Sequence, residues 1–164
     1  MSDTIKVVIS YAHKDEQCMV ELRDQFAPWV NKGDIELWTD NYILPGQEWN
    51  EEIIARLKEA DVIIMLFSAN FFTSNYIQNI EYKIALDRHN RGEALAVGVV
   101  VKPCNWEVTE MGKYQVLPAG AGPISCYRPM KRAGIYQQVS ATIMDTAKAF
   151  RKARKSRKKR KKPI

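Results

Sequence analysis

The sequence predicts an α/β fold with a parallel sheet of about five strands joined by right-handed helical crossovers. Two observations lead to this prediction. Short runs of aliphatic and β-branched residues alternate along the chain with segments whose apolar residues recur every three or four positions. Polar side chains also follow the predicted strands at their carboxyl ends, where open α/β sheets build binding sites. The pattern therefore indicates both an architecture and the edge of the sheet that carries a site.

Four segments are predicted as strands, and a short fifth strand is expected near Pro123–Tyr127. The first, third and fourth are nearly continuous aliphatic runs, which is typical of strands covered on both faces. The four segments are Ile5–Ser10, Ile35–Trp38, Val62–Phe67 and Ala94–Val101.

Helical patterns fill the intervals between the strands. The first helix has its apolar stripe at Met19, Leu22, Phe26 and Trp29, and Pro28 is expected to kink or end it. Two more stripes and a final amphipathic helix follow. Their apolar positions are Ile53, Leu57 and Ala60, then Ile77, Ile80 and Ile84, and last Val139, Ile143, Ala147 and Phe150.

The charge of the chain is divided unevenly between one domain, predicted over residues 1–150, and a basic tail at 151–164. The net charge is +6, but residues 151–164 contain ten Lys or Arg and no acid. Removing these ten from the 25 basic residues leaves 15 against 19 acidic residues, so the domain is mildly acidic. The tail is predicted to be a disordered extension or linker. The alternative is that it attracts nucleic acid or an anionic membrane.

Composition argues against several classes of protein. No apolar run approaches the roughly 20 residues that span a bilayer, and the first residues lack a signal-peptide layout, so a cytoplasmic protein is expected. Cys18, Cys104 and Cys126 are widely spaced and His13 and His89 show no metal spacing, so neither a disulfide framework nor a metal site is expected. Neither standard glycine-rich phosphate loop is present.

Glu81 is the carboxylate that the helical spacing singles out. At about 100° per residue it lies roughly 40° from Ile77 and 60° from Ile84, inside or beside the apolar stripe. Burying an unpaired carboxylate costs several kcal/mol, so one placed there usually has a partner or a function. From spacing alone, an ordinary carboxylate paired with Lys83, Arg88 or a backbone donor remains the alternative.

Five segments, in a fixed order along the chain, carry a family resemblance. They are Val8–Asp15, Leu37–Asp40 with Ile43–Trp49, Ala60–Ser68, Phe71–Tyr76 leading to Glu81, and Val99–Trp106 with Leu117–Pro118. Taken together, these segments resemble the Toll/interleukin-1 receptor (TIR) domain family in its bacterial, NAD-cleaving form. The resemblance covers about residues 5–127 and implies a flavodoxin-like three-layer sandwich with sheet order 2-1-3-4-5.

The resemblance implies one of two functions. One is an NAD+ nucleosidase that cleaves the nicotinamide–ribose bond to give nicotinamide and ADP-ribose or a cyclic isomer. It would act in immune or antiphage signalling, be activated by self-association, and use NAD+ as its substrate with no cofactor. The other is a non-catalytic adaptor that binds other TIR domains. The sequence leaves the product type open.

The resemblance also assigns roles to individual residues. Glu81 matches a glutamate on the third helix that is essential in the enzymatic branch. Active relatives often carry an aromatic residue one turn earlier, where this chain has Ile77, so a stacking ring would come from Trp38 or Tyr76. The predicted substrate-binding residues are Ser10, Tyr11, His13, Trp38 and Asp40, and the predicted self-association loop contains Leu44, Pro45 and Gly46. From the residues alone, an ordinary connector between strand and helix is the alternative for this loop.

Overall fold

Four parallel strands form a single sheet within the part of the chain that the structure, a computed structural model, describes: residues 3–39, 49–75 and 77–161. The order is β2-β1-β3-β4, which confirms the predicted α/β architecture and the predicted order of its first four strands. Central strand β1 pairs Val8 with Trp38 on one side and with Ile63 on the other. The strands are β1 (Ile5–Ser10), β2 (Ile35–Trp38), β3 (Val62–Phe67) and β4 (Leu95–Val100).

The prediction of a fifth strand near Pro123–Tyr127 is wrong, because that segment contains a short 3-10 turn at Ile124–Cys126. Leu117 instead meets the outer edge of β4. Its N–H donates to the Gly98 carbonyl at 2.9 Å, and its carbonyl accepts from the Val100 N–H at 2.8 Å. This contact is a single parallel bridge between Leu117 and Val99 and does not extend into a strand.

The helices lie between the strands as the apolar spacing predicts. The break expected at Pro28 is confirmed, since this proline lies in the first turn of its own short helix, where the missing N–H costs little. The helices are α1 (Glu16–Gln25), α2 (Ala27–Asn31), α3 (Trp49–Glu59), α4 (Ala69–Thr73), α5 (Tyr82–Asn90) and α6 (Pro129–Arg160), with a π-helical turn at Ile77–Glu81 leading into α5. Among the described residues, no helix is both long and apolar enough to cross a membrane.

Two apolar clusters, one on each face of the sheet, form the core. One packs α1 and α6 against Ile9, Ile64 and neighbouring strand residues. The other packs α3 and α5 against residues that include Ile63 and Phe67. Every residue of β3 is buried, so this strand is covered on both faces as predicted. Gly98 of β4 is required by this packing, because a Cβ there would lie 2.2 Å from Cε2 of Phe67.

The prediction of a disordered tail is wrong for residues 151–160, because α6 continues without a break to Arg160. Two ion pairs attach this part of α6 to the amino ends of strands. Arg154 Nη2 lies 2.7 Å from Asp61 Oδ1, just before β3, and Lys155 Nζ lies 3.1 Å from Asp3 Oδ1, just before β1. Lysine and arginine are also good helix formers, so propensity and these contacts favour the same conformation.

Candidate functional site

Glu81 lies at the carboxyl edge of the sheet and is buried, with 8% of its surface exposed. Its Oε1 accepts a hydrogen bond of 3.0 Å from the hydroxyl of Ser10, the last residue of β1. Of the two cationic partners considered from spacing, Lys83 and Arg88, the second is engaged elsewhere, since Arg88 Nη1 donates to the carbonyls of Leu57 and Ala60 at 2.7 and 2.6 Å. The two residues joined here, Ser10 and Glu81, were both predicted to belong to the site.

The local backbone at Glu81 is a π-helical turn, Ile77–Glu81, rather than the regular α-helix that the spacing argument assumed. Such a turn adds one residue to the helical ring, and it occurs frequently at functional sites. Ile77 and Glu81 are both buried despite the change in phase. At the start of this segment, the Ser74 hydroxyl accepts from the Ile77 N–H at 3.3 Å, which holds the turn against the end of α4.

The two residues that follow β1 have different environments. Tyr11 is 5% exposed and belongs to the core cluster on the α1 and α6 side, so little of its ring is open to a ligand. His13 is exposed, and its ring lies 6.3 Å from that of Tyr11 in an edge-to-face arrangement. Of the two, His13 is the side chain that is accessible from solvent.

Trp38 ends β2 on the opposite face of the sheet from Tyr11. It is 7% exposed and packs in the cluster that also contains Ile77. The guanidinium carbon of Arg56 lies 5.9 Å from its ring centroid. The remaining predicted site residues, which are Asp40, Leu44, Pro45, Gly46 and Tyr76, lie outside the described residues.

Sequence reasoning missed a buried polar network centred on Asp15, whose side chain is fully enclosed. Its carboxylate accepts hydrogen bonds from Ser68 Oγ, from Asn70 Nδ2 at 3.2 Å and from Lys102 Nζ at 2.5 Å. The hydrogen bond from Lys102 to Asp15 raises the pKa of the lysine above its ordinary value. The available signal was the placement of Ser68 and Lys102 directly after aliphatic strands, at the edge where Asp15 also lies.

This network fixes the segment that connects β1 to α1. Asp15 closes a 3-10 turn, His13–Asp15, and its partners follow β3 and β4. The loop that carries Tyr11 and His13, which directly follows Ser10, is therefore attached to the carboxyl ends of β3 and β4. We conclude that the Asp15 network positions one side of the candidate site.

A cavity of about 790 Å³ lies past the end of β4. Its described lining includes Trp106, Tyr114 and Gln115, but neither Ser10 nor Glu81. Burial raises the pKa of the Cys104 thiol in its wall, which disfavours the nucleophilic thiolate. The described residues contain no cluster of three or more His, Cys, Asp or Glu that could hold a metal ion.

Comparison with known proteins identifies the family. A family model described as the TIR domain matches residues 7–123. The chain belongs to the TIR domain family. The segments that carry the sequence resemblance fall largely within this match, and the predicted family membership is confirmed. The NAD-cleaving subtype stays a prediction.

Individual proteins and solved structures are similar to this chain. This TIR domain is 30% identical over 141 residues to the uncharacterized protein y4lF of Sinorhizobium fredii. The aligned region covers 86% of this chain and 43% of that protein. The chain thus spans less than half the length of that relative. Among solved structures, it resembles the TIR domain of the Toll-related receptor TRR-2 of Hydra magnipapillata, with a TM-score of 0.53 and 18% identity over 71% of this chain and 83% of that one. The TIR domains of the activated Roq1 resistosome that recognises the effector XopQ give a TM-score of 0.47 and 21% identity, over 58% and 57% of the two chains.

Proposed function

We propose that this TIR domain is an NAD+ nucleosidase in which Glu81 is the catalytic carboxylate. The observation that supports the proposal is the buried position of Glu81 at the carboxyl edge of the sheet, with its Oε1 held by the Ser10 hydroxyl at 3.0 Å. Buried, oriented carboxylates in α/β folds are expensive to maintain, and they concentrate at functional sites.

The chemistry of nicotinamide release requires only one carboxylate. The bond between the ribose C1′ and the nicotinamide nitrogen breaks, and its electron pair neutralises the cationic ring, so no acid has to protonate the leaving group. The ribose becomes oxocarbenium-like, as in glycoside hydrolysis. A fixed anion stabilises that positive charge and can accept hydrogen bonds from the ribose hydroxyls. Water then adds to C1′ and releases a proton, or a nitrogen of the same nucleotide adds and gives a cyclic isomer.

Ser10 acts as the positioning residue in this scheme. Its hydroxyl donates to Glu81 Oε1 from the end of a rigid central strand, so the carboxylate needs little reorganisation when charge develops. Tyr11 and Trp38 are largely buried, and we assign them to the walls of the site rather than to stacking on the nucleotide. His13 is exposed and suits a polar contact with the substrate. Asp40 keeps its proposed role of holding polar groups of NAD+.

We further propose that self-association through the loop containing Leu44, Pro45 and Gly46 activates the enzyme, and that its product serves in immune or antiphage signalling. A non-catalytic adaptor is the second candidate. It is favoured by Ile77, since active relatives often carry an aromatic ring at this position and this side chain is aliphatic and 4% exposed. The two candidates differ in whether association is accompanied by NAD+ loss.

The test compares wild type with Glu81→Gln, which preserves the shape of the side chain and removes its charge. Asp87→Asn is the matched control, because Asp87 is an exposed carboxylate on α5 whose partner is Arg91 at 3.2 Å. NAD+ consumption and product mass are measured at high protein concentration with a crowding agent. We expect Glu81→Gln to lose at least about a hundredfold in turnover, the usual scale for one electrostatic group, with the control within about twofold.

Two results would count against the proposal. Undiminished turnover in Glu81→Gln would exclude Glu81 as the catalytic carboxylate. Absence of turnover in a wild-type protein that self-associates by light scattering, with association lost in Pro45→Ala/Gly46→Ala, would favour the adaptor.

A further inference from the structure

The basic end of α6 forms one wall of a groove at the edge of the sheet opposite to Glu81. The groove has a volume of about 350 Å³, and its other wall is the end of α5 with the turn that follows it. On α6 the lining residues recur at steps of three and four, so they share one helical face. The lining residues are Arg88, Arg91, Gly92 and Glu93 on one side and Arg154, Arg157, Lys158 and Lys161 on the other.

Part of this positive charge holds the groove together. Arg154 pairs with Asp61 at 2.7 Å and also donates to the Glu93 carbonyl at 2.8 Å. Arg88 lies 3.6 Å from the carboxylate of Glu93. These contacts fix α6 against the turn after α5, so the groove is part of the folded domain.

The remaining charge is open to a ligand. Arg157, Lys158 and Lys161 are exposed and form no ion pair within the described residues. The Arg157 guanidinium lies across Gly92, where an added Cβ would be 3.0 Å from Nη1. Three cations thus lie on one face of a fixed helix, without an acidic partner in the part of the chain that the structure describes. Such a concentration of like charge favours binding of a polyanion.

We propose that this groove binds the phosphate backbone of double-stranded nucleic acid. The basic stretch 151–161 extends for about 15 Å at 1.5 Å per residue, and a duplex carries about one negative charge per 1.7 Å of its axis. The helix can therefore face several phosphates at once. Among the described residues that line the groove, Glu93 is the single acid, and its carboxylate is already paired with Arg88.

Two other polyanions fit less well. A helix that inserts into a membrane surface needs an apolar face, whereas residues 151–161 contain Ala153 as their one apolar side chain. Sequence-tolerant binding of single strands relies on aromatic stacking, and the described lining of the groove contains no aromatic residue. The charge pattern thus matches a duplex better than a single strand or a lipid surface.

The site is distinct from the proposed catalytic centre. Asp3, Asp61 and Glu93, which neighbour the basic end of α6, precede β1, β3 and β4, whereas Ser10 and Glu81 lie at the carboxyl edge. A bound duplex would therefore leave the Glu81 site open. Duplex binding at the groove does not depend on NAD+ cleavage, and the binding assay does not measure NAD+ cleavage.

The test uses the full chain and a fluorescein-labelled duplex of random sequence, with binding followed by fluorescence anisotropy at several salt concentrations. The variant is Arg157→Gln/Lys158→Gln/Lys161→Gln. The matched control is Lys58→Gln/Lys83→Gln/Lys131→Gln, which removes the same charge from exposed positions outside the groove. Circular dichroism verifies that both remain folded.

We expect the groove variant to bind about a hundredfold more weakly at 0.1 M salt, with a salt slope smaller by about 3, since each lost phosphate contact contributes about 0.9. The control should keep the wild-type slope and lose less than about tenfold in affinity. Equal losses in the two variants would overturn the site, because they would indicate a response to net charge alone. Tighter binding to a single strand of equal length would overturn the duplex assignment. So would binding to phosphatidylserine vesicles, abolished by the groove variant, without binding to the duplex.

Discussion

We expect the replacement of Lys102 by methionine to destabilise the domain, because it leaves the Asp15 carboxylate buried without its cation. Lys102 Nζ lies 2.5 Å from Asp15 Oδ1, and the carboxylate side chain is 0% exposed. Methionine keeps most of the length of the lysine stem and removes only the charge and its donors. The perturbation is thus confined to one end of the network.

The magnitude follows from the burial of the two partners. Removing one member of a fully buried ion pair costs about 3–5 kcal/mol. Lys102 is 35% exposed, so water screens part of the attraction, and Ser68 and Asn70 still donate to the carboxylate. Loss of a hydrogen bond to a charged group costs about 1.5–3 kcal/mol. We therefore expect a loss of about 2 kcal/mol in unfolding free energy, or about 4–8 °C in Tm for a chain of this size.

Urea unfolding followed by far-UV circular dichroism measures this loss. A double-mutant cycle with Asp15→Asn separates the interaction from the effect of each substitution. Lys102→Met should cost more than Asp15→Asn, because the lysine left behind in the second case can be hydrated. Lys58→Met, at an exposed position, is the control and should change stability by less than about 0.5 kcal/mol.

The dependence of the unfolding free energy on pH above neutrality gives an independent test of the Lys102–Asp15 pair. Because Asp15 raises the pKa of Lys102 above 10.5, the folded state holds this proton more tightly than the unfolded state does. The resulting stability is present below pH 10.5 and is lost as pH rises through the folded-state pKa, a loss that Lys102→Met should lack. A cost below about 0.5 kcal/mol for Lys102→Met, together with a coupling energy near zero, would refute the reasoning.

Two further predictions concern His89 and Ser10. Burial, with a smaller effect of Lys113, lowers the pKa of His89 below 6.5, so the folded state binds fewer protons in acid and the free energy of unfolding should fall as pH decreases below 6.5. Urea titrations across this range should show the slope in wild type and a smaller one in His89→Asn, which retains an acceptor. Ser10→Ala removes the hydrogen bond to Glu81 and should lower kcat for NAD+ about tenfold at similar KM, which steady-state assays measure.

The predictions for His89 and Ser10 can each be contradicted by a specific result. An unchanged acid slope in His89→Asn would assign the proton uptake to another group. For Ser10, threonine serves as the conservative control, because it retains the hydroxyl. Equal activities of the alanine and threonine variants would show that the hydroxyl does not position Glu81.

The strands were the most predictable part of the fold, because a parallel strand covered on both faces leaves a local signature in the sequence. All six residues of Val62–Phe67 are aliphatic or aromatic, and all six are buried. The prediction of a fifth strand near Pro123–Tyr127 is wrong because this segment forms a 3-10 turn at Ile124–Cys126, although its Ser125 N–H donates to the Val101 carbonyl at 2.9 Å, just past β4. Leu117 instead contacts the outer edge of β4 through one parallel bridge to Val99.

The helical end of α6 could not be predicted from composition, which is equally typical of a disordered basic tail. What fixes this segment are Asp3 and Asp61, which are remote in sequence and meet Lys155 and Arg154 only after the sheet has formed. Charge at a distance in sequence leaves no periodic signal along the chain.

The candidate site was predictable only in part, namely where a residue stands out from a local pattern in the sequence. Helical spacing indicated Glu81, and the edge rule indicated Ser10, although the two are 71 residues apart. The pair formed by Asp15 and Lys102, separated by 87 residues, was missed because neither residue interrupts a pattern of its own.

The most direct test of the central claim is release of nicotinamide from NAD+ by wild type and Glu81→Gln, quantified by mass spectrometry over a range of protein concentrations. We expect wild type to release nicotinamide together with ADP-ribose or its cyclic isomer, at a rate per molecule that rises with concentration, and Glu81→Gln to release at least about a hundredfold less. Equal release by the two proteins, or none by wild type at any concentration, would contradict it.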